Sequence, residues 1–267
     1  MKAIYLDAFS GISGNMLLGA FLQAGVPEGY LRQELAKLPL AGEFELSCTP
    51  VTKQGIRAAY VDVRLMSETA HGEAQEALAH AHVHRTLANI EALLSEAPLS
   101  EAVKEKARAV FRLLAEAEGK VHGKPAAEVS FHEVGAVDSI VDIVGTAICL
   151  DYLGIEQVLA SRLNVGSGYV RCAHGIMPVP APAVAELLMG WPTYAFGAEE
   201  ELTTPTGAAV VRASAQHAAA LPEDFAVRAI GYGAGSRDLP LPNVLRLYVG
   251  GESEHETGQA ADRWYKA

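Results

Sequence analysis

The chain has 267 residues, half of them hydrophobic and a fifth charged, which is ordinary for a globular protein. Its formal net charge of −11 argues against a nucleic-acid-binding role, because such proteins usually show a basic footprint. No apolar run approaches the ~20 residues that a membrane-spanning helix needs, and the N-terminus has no signal-peptide pattern. Cys48, Cys149 and Cys172 form no CxxC pair, so we expect a reducing, cytoplasmic setting.

The first predicted elements are a strand, a loop of small residues and a helix. The strand covers residues 2–8 and ends near Asp7, where a carboxylate commonly faces a cation or a ligand. The loop, residues 9–15, offers backbone N–H groups and hydroxyls to a phosphate or another anion. It matches neither of the common phosphate-loop patterns. A tight turn with Ser13 or Asn15 as the helix N-cap is therefore the alternative.

Hydrophobic periodicity predicts the next elements. They are a short helix over 27–38, a hairpin with strands 44–51 and 58–65, and helices over 86–97 and 100–121. A further helix begins near Ala136 and ends near Leu153, and it places Cys149 in an apolar, buried position.

The last part of the chain mixes extended and helical patterns. Residues 163–175 are extended and glycine-rich, helices are predicted over 182–189 and from Pro205 to about His217, and strands over 225–230 and 244–249. Residues 231–238 carry Arg237 beside Asp238. They are interpreted either as a flexible loop that closes over a ligand or as a long hairpin connection.

Helix and strand runs do not alternate strictly, which favours an α+β fold with a mixed or antiparallel sheet and packed helices. We expect residues 1–250 to form one folded region. Its finer division is a sheet-rich part, 1–70 with 160–250, and a helical part, 80–155. From residue 251 to 267 the hydrophobic pattern is lost, which predicts a disordered tail.

Four of the nine histidines lie between residues 71 and 84, at His71, His80, His82 and His84. His80 and His84 would share a face of a helix, and alternating histidines would share a face of a strand. Imidazoles at such spacing suit Zn, Ni, Cu or Fe. The alternative is a polar loop with incidental histidines.

The segment from His132 to Asp142 contains one imidazole and three carboxylates. Asp138 and Asp142 are four apart, so they share one face of the predicted helix and repel each other mildly. One interpretation is a helix N-terminus that favours carboxylates, with an exposed acidic face. The other is a metal or metal-nucleotide site into which His132 and Glu133 lead.

Several stretches together resemble the nickel-insertion protein family of nickel-pincer cofactor biosynthesis, the LarC family. The resemblance runs from residue 2 to about 250 and rests on residues 7–16, 131–142, 166–168, 172–175, 178–182, 204–208 and 231–235. Two departures are visible. The family usually has Asp where this chain has Asn15, and it often carries a denser histidine run than residues 80–84.

The resemblance implies that residues 1–250 are a catalytic and nickel-binding region, and it also implies an activity and partners. Members insert Ni(II) into a pyridinium bis-thiocarboxylic acid mononucleotide and use CTP, for which we expect Mg or Mn as the accompanying ion. The resemblance implies a nickel chelatase or cyclometallase of the lyase class, a homo-oligomer, and a cofactor that matures lactate racemase and related apo-enzymes. Full-length members continue past residue 267, and CTP binding is expected in that C-terminal part.

Chemistry and resemblance together assign roles to three groups of residues. The expected catalytic residues are His132, Glu133 and Asp7. The expected metal ligands are His80, His82, His84, His132, Asp138, Asp142 and His174. The substrate phosphate is expected at Ser10, Gly11, Ser13, Gly14, Thr204, Thr206 and Gly207. Taken alone, His174 is also explained as a turn histidine.

Two other function classes remain open. A nickel carrier or storage domain would need the histidine segment but neither Asp7 nor the cluster that begins at His132. A metal-dependent nucleotide hydrolase would use Asp7, Asp138 and Asp142.

Overall fold

The computed structural model describes residues 1–40, 42–66, 85–131, 137–172 and 175–252. The helices in these ranges are α1 (Gly14–Gln23), α2 (Glu28–Leu35), α3 (Leu87–Glu96), α4 (Glu101–His122), α5 (Val137–Tyr152), α6 (Pro182–Leu187) and α7 (Pro205–Ser214), with a 3₁₀ turn at Ala126–Glu128. The first strands are β1 (Lys2–Asp7), β2 (Phe44–Lys53), β3 (Ile56–Leu65), β4 (Arg85–Thr86), β5 (Ser130–Phe131), β6 (Gln157–Ala160) and β7 (Leu163–Asn164). The remaining strands are β8 (Tyr169–Cys172), β9 (Gly175–Pro178), β10 (Thr193–Tyr194), β11 (Ala215–His217), β12 (Phe225–Ala234) and β13 (Val244–Glu252).

Seven strands form one sheet in the order β11-β6-β1-β13-β12-β3-β2. The pairs β1–β13, β12–β13 and β2–β3 are antiparallel, whereas β1–β6, β6–β11 and β3–β12 are parallel. The predicted α+β fold with a mixed sheet is therefore confirmed. The division into two subdomains stays a prediction, and residues 253–267 of the predicted tail lie outside the described ranges.

The predicted hairpin is present and is two residues longer on each strand. Lys53 pairs with Ile56, and only Gln54 and Gly55 lie between them. Both residues have positive φ, 46° and 83°. A two-residue loop of that kind matches the twist of the strands on either side, so it fixes the register of the whole hairpin.

Helix α1 lies directly on the sheet, and this packing changes one predicted boundary. The strand expected over 225–230 continues to Ala234, so the predicted loop 231–238 is half strand. A methyl group on Gly231 would collide with the carbonyl of Ala20, and one on Gly233 with the carbonyl of Met16. These glycines let a helix backbone touch a strand backbone. A glycine run read from sequence alone indicates a loop instead.

The remaining helices pack against one another. Helix α4 packs on α3, α5, α6 and α7, and its Phe111 is fully buried. Thr86 caps α3 and Ser100 caps α4 through their side chains. Cys149 on α5 is fully buried as expected, and burial raises the pKa of its thiol.

The predicted end of α7 is wrong. Helix α7 was expected to reach about His217, but it ends at Ser214, and the next three residues form β11 beside β6. Backbone pairing with the sheet edge replaces the last helical turn, a tertiary effect that overrides local propensity. None of the described helices is long and apolar enough to cross a membrane.

Candidate functional site

The loop after β1 and the segment before α7, predicted separately as phosphate-binding, lie against each other. The N–H of Ile12 donates to the carbonyl of Leu202 at 3.0 Å, and the N–H of Thr204 donates to the carbonyl of Ile12 at 3.0 Å. A methyl group on Gly11 would collide with the Leu202 carbonyl, and one on Gly207 with the Ile12 carbonyl. Close packing between the two segments therefore explains both glycines. Their role in phosphate binding stays a prediction.

The two helix N-termini at this junction differ. Helix α7 is capped, because Thr204 Oγ1 accepts a hydrogen bond from the N–H of Gly207 at 3.2 Å. Ser13 occupies the N-cap position of α1 but makes no side-chain cap, and its hydroxyl donates to Asn15 Oδ1 at 2.6 Å. Ser13 therefore takes the N-cap position that the alternative interpretation allowed, but without a capping hydrogen bond. Ser10, just before, is fully buried, and its hydroxyl has no hydrogen-bond partner among the described residues.

Asp142 on α5 meets the start of α1. A methyl group on Gly14 would lie 2.5 Å from Asp142 Cβ and still closer to Oδ2. Further along the same pair of helices, Gly145 faces Leu18, so α1 and α5 run in the same direction. The carboxylate thus lies at the positive end of α1, where the first N–H groups have no partner within the helix.

The Asp142 carboxylate is poorly compensated by the described part of the chain. Its Oδ1 is buried and makes no hydrogen bond there. Burial, and then the charge of Asp138 one turn earlier, raise the pKa of the Asp142 carboxyl well above its usual range. Asp138 is exposed, and its Oδ1 accepts a hydrogen bond from the N–H of Ser139 at 2.7 Å. A divalent cation shared by the two carboxylates would relieve both the burial cost and the repulsion.

Most of the expected metal ligands lie outside the residues that the structure describes. Among the residues that the structure describes, no group of three or more His, Cys, Asp or Glu side chains is arranged to hold a metal ion. The other expected ligands and bases fall outside those residues: His80, His82, His84, His132, Glu133 and His174. Their roles stay predictions.

Asp7 lies near the junction but pairs with an arginine. Asp7 and Arg246 are opposite each other on β1 and β13. Nη2 and Nε of Arg246 donate to Asp7 Oδ2 at 2.5 Å and 3.1 Å. The Arg246 guanidinium also lies 5.7 Å from the centre of the Phe9 ring. Because the partner is a cation on the neighbouring strand, pattern reading along one strand did not reveal it.

Asn164 holds the loop after β1 in place, a role that no sequence motif indicates. Its side chain is fully buried and donates to the carbonyls of Phe9 and Phe196, both at 2.9 Å. It accepts from the N–H groups of Gly166 at 3.2 Å and Phe196 at 3.1 Å. Because every polar position of the Asn164 amide forms a hydrogen bond, the side chain holds the loop backbone in one conformation.

The residues after β12 form ion pairs with two other segments of the fold. Arg237 pairs with Glu200, and Asp238 pairs with Lys53 at 2.7 Å. Both residues tie the segment to neighbouring parts of the fold.

The chain matches a family model described as nickel insertion protein over residues 4–264. It belongs to this nickel insertion protein family. It is 50% identical over 254 residues to a putative nickel insertion protein of Wolinella succinogenes, covering 94% of this chain and 61% of the relative. It is 47% identical over 256 residues to the pyridinium-3,5-bisthiocarboxylic acid mononucleotide nickel insertion protein of Clostridium kluyveri, covering 96% and 64%. No solved structure matches it.

Membership of the nickel insertion protein family confirms the resemblance recognised in the motifs. The relative from Desulfitobacterium hafniense DCB-2 carries the same mononucleotide name and is 48% identical over 263 residues, 98% of this chain and 62% of that protein. The chain thus spans less than two thirds of the length of these relatives. The names of the relatives point to nickel handling.

Proposed function

We propose that this chain takes part in inserting Ni(II) into a pyridinium-3,5-bisthiocarboxylic acid mononucleotide. Two kinds of support meet at one place. The relatives carry the name of this reaction, and the Asp138–Asp142 turn, which the resemblance marks, holds two carboxylates that a cation would stabilise. Nickel is the cargo of the reaction.

The observation that carries the proposal is the buried Oδ1 of Asp142, which has no hydrogen-bond partner in the described ranges. A structural carboxylate at a helix N-terminus normally accepts hydrogen bonds from the exposed N–H groups. Asp142 touches α1 without such a bond, so its oxygen is left for another ligand. Carboxylate oxygen can ligate Ni(II) before the sulfurs of the substrate replace it.

The chemical step exchanges a proton for a metal. The ring C–H bond between the two thiocarboxylate groups breaks as the carbon–nickel bond forms, and the proton passes to a base of the protein. Nickel remains Ni(II) and exchanges protein oxygen or nitrogen ligands for carbon and two sulfurs. His132 or Glu133 is the expected base, because both precede the carboxylate pair in sequence and carry groups suited to proton transfer.

The finer parts of the proposal follow from the resemblance. They are CTP dependence with Mg or Mn, classification as a lyase, delivery of the product to a lactate racemase-type apo-enzyme, a homo-oligomeric state and a cytoplasmic location. The histidine segment, His80, His82 and His84, would collect nickel and pass it to the carboxylate turn.

The test is nickel insertion in vitro, with Ni(II), the mononucleotide, CTP and Mg, followed by the absorbance of the nickel product. We expect product from the wild-type chain when the C-terminal part of a full-length relative is supplied, and none from Asp142→Asn in the same assay. Asp151→Asn is the matched control, since Asp151 is an exposed carboxylate at the other end of α5. Nickel binding without product would instead support the carrier, and CTP turnover without nickel would support the hydrolase.

A further inference from the structure

Arg162 is fixed beside the loop after β1. The N–H of Ala8 donates to Ser161 Oγ at 3.0 Å, and Ser161 Oγ donates to the carbonyl of Arg162 at 2.8 Å. Ser161 is itself buried. The backbone of Arg162 is therefore tied to the point where β1 enters the loop, while its side chain is exposed to solvent.

The Arg162 guanidinium lies over an aromatic ring. Its Cζ lies 4.4 Å from the centre of the Tyr194 ring, and the Tyr194 hydroxyl donates to the carbonyl of Phe9 at 3.2 Å. A guanidinium stacked in this way loses little entropy when it forms a further hydrogen bond, and its free edge keeps the fork of donors that fits a planar or tetrahedral anion.

Two arginines lie beside this loop, and only one of them has a carboxylate partner in the described ranges. Arg246 is paired with Asp7, whereas none of the described carboxylates forms an ion pair with Arg162. On a chain whose formal net charge is −11, a cation left without such a partner beside the candidate site favours an anionic ligand.

The two helix starts expected to hold substrate anions are poorly suited to them. The start of α1 faces the Asp142 carboxylate, which would repel a phosphate. The start of α7 is capped by Thr204, and Gly207 is packed on Ile12. A donor outside these two helix starts would therefore help to bind an anionic substrate at this junction.

We propose that Arg162, stacked on Tyr194, binds an anionic group of the pyridinium mononucleotide and so positions its ring beside the Asp138–Asp142 turn. The inference rests on the proposed function for the identity of the substrate. The anion is either the 5′-phosphate or a ring carboxylate-type group, which share charge and hydrogen-bond acceptors. Arg162 is a binding residue here and takes no part in proton transfer.

Calorimetry without nickel tests the binding step separately from insertion. The probes are nicotinic acid mononucleotide, nicotinic acid riboside, which lacks the phosphate, and nicotinamide mononucleotide, which lacks the ring carboxylate. We expect Arg162→Ala to weaken binding of nicotinic acid mononucleotide by about 10- to 100-fold, the effect of one hydrogen-bonded charge, and Arg162→Lys to recover part of it. A probe that lacks the group bound by Arg162 should bind equally well to the wild type and to Arg162→Ala. The group missing from that probe is then the anion that Arg162 binds.

Arg228→Ala is the control, because Arg228 is also exposed and lies on β12 about six residues, or roughly 20 Å, from the end of the strand near the loop. It should bind all three probes as the wild type does. Equal binding by wild type and Arg162→Ala, or no binding of any probe by the wild type, overturns the inference. If probes bind as expected but no nickel product forms, the proposed function fails and the anion site stands.

Discussion

The carboxylate of Asp142 rests against the Cα of Gly14, so that even one added carbon would lie 2.5 Å from Asp142 Cβ. The contact joins the start of α1 to the second turn of α5, and these belong to two motifs 128 positions apart in the sequence. Glycine at 14 is therefore required by the acidic residue at 142. The first loop and the acidic turn form one site, although each was interpreted separately from sequence.

Gly14→Ala should destabilise the protein by about 1–3 kcal/mol, because the added methyl group must push α1 away from α5. Chemical denaturation measures this change. Gly29→Ala is the matched control: Gly29 is also helical, on α2, and no atom lies within 4 Å of the added carbon. That change should stabilise by up to about 1 kcal/mol. Similar effects for both substitutions would show that Asp142 does not occupy this position.

Asp142→Asn should leave the metal-free protein at least as stable as the wild type at neutral pH. Because the folded-state pKa of Asp142 is raised, the folded state holds a proton that the unfolded chain releases near pH 3.9. The stability due to this group is present below about pH 4 and is lost as the pH rises through the folded-state pKa. Because asparagine does not ionise, the Asp142→Asn protein does not lose stability in this way as the pH rises. Denaturation of both proteins, free of metal, between pH 4 and pH 8 should give curves that diverge as the pH rises.

A large loss of stability in Asp142→Asn would contradict this prediction. A variant that is about 3–5 kcal/mol less stable at neutral pH would show that the Asp142 carboxylate belongs to a buried ion pair, since removing one partner strands the other charge. In that case the turn is structural, and the argument for metal binding at Asp142 fails.

Local signals predicted most of the secondary structure, since caps and periodicity act within one turn of helix. Thr86, Ser100 and Thr204 all begin helices where their sequence positions indicate. Errors arose where contact with a distant segment determines the local structure. Gly231 looks like a loop residue until α1 is placed on it, and residues 215–217 look helical until the edge of the sheet is known.

The candidate site was also predicted only in part, because some of its contacts join distant segments. The acidic turn and the glycine-rich loop were recognisable because each is contiguous. Arg246, Arg162 and Tyr194 were missed because each acts through a partner more than 150 residues away or through the stacking of side chains. Nothing in a single sequence pairs β1 with β13.

The pair of Asp7 and Arg246 should contribute about 1 kcal/mol or less, because both side chains are partly exposed. A double-mutant cycle with Asp7→Ala and Arg246→Ala measures this coupling through denaturation. If Asp7 also has the expected catalytic role, Asp7→Asn should lower the rate of nickel insertion far more than its small change in stability explains. A rate that falls only in proportion to stability would assign Asp7 a purely structural role.

Nickel should stabilise the folded chain, by about 2.7 kcal/mol when free Ni(II) is 100-fold above the dissociation constant. Replacing His80, His82 and His84 together with alanine should weaken nickel loading while leaving metal-free stability unchanged. Loading through imidazoles should also weaken toward pH 5, since ligating imidazole must be neutral and its usual pKa is about 6.5. Calorimetry that shows pH-independent binding would count against histidine ligands.

The last prediction concerns Asn15, in the first turn of α1. Asn15 uses both ends of its amide: Oδ1 accepts from Ser13 Oγ at 2.6 Å, and Nδ2 donates to the carbonyl of Ala234 at 3.4 Å. Asn15→Asp keeps the acceptor, loses the donor, and adds a negative charge in the first turn of α1, next to the Gly14–Asp142 contact. The helix dipole favours that charge by about 0.3–1 kcal/mol, whereas the lost donor and the repulsion from Asp142 oppose it.

Because these effects oppose each other, metal-free stability should change by less than about 1 kcal/mol, while the affinity for Ni(II) should rise, since a third carboxylate joins the cluster. Asn89→Asp is the control. Asn89 also lies in the first turn of a helix, where its Oδ1 accepts from the N–H of Thr86, but it is on α3 and should not alter nickel binding. Unchanged nickel affinity in Asn15→Asp, measured beside this control, would place Asn15 outside the metal site. Asparagine would then be a structural residue that holds the start of α1 to the end of β12.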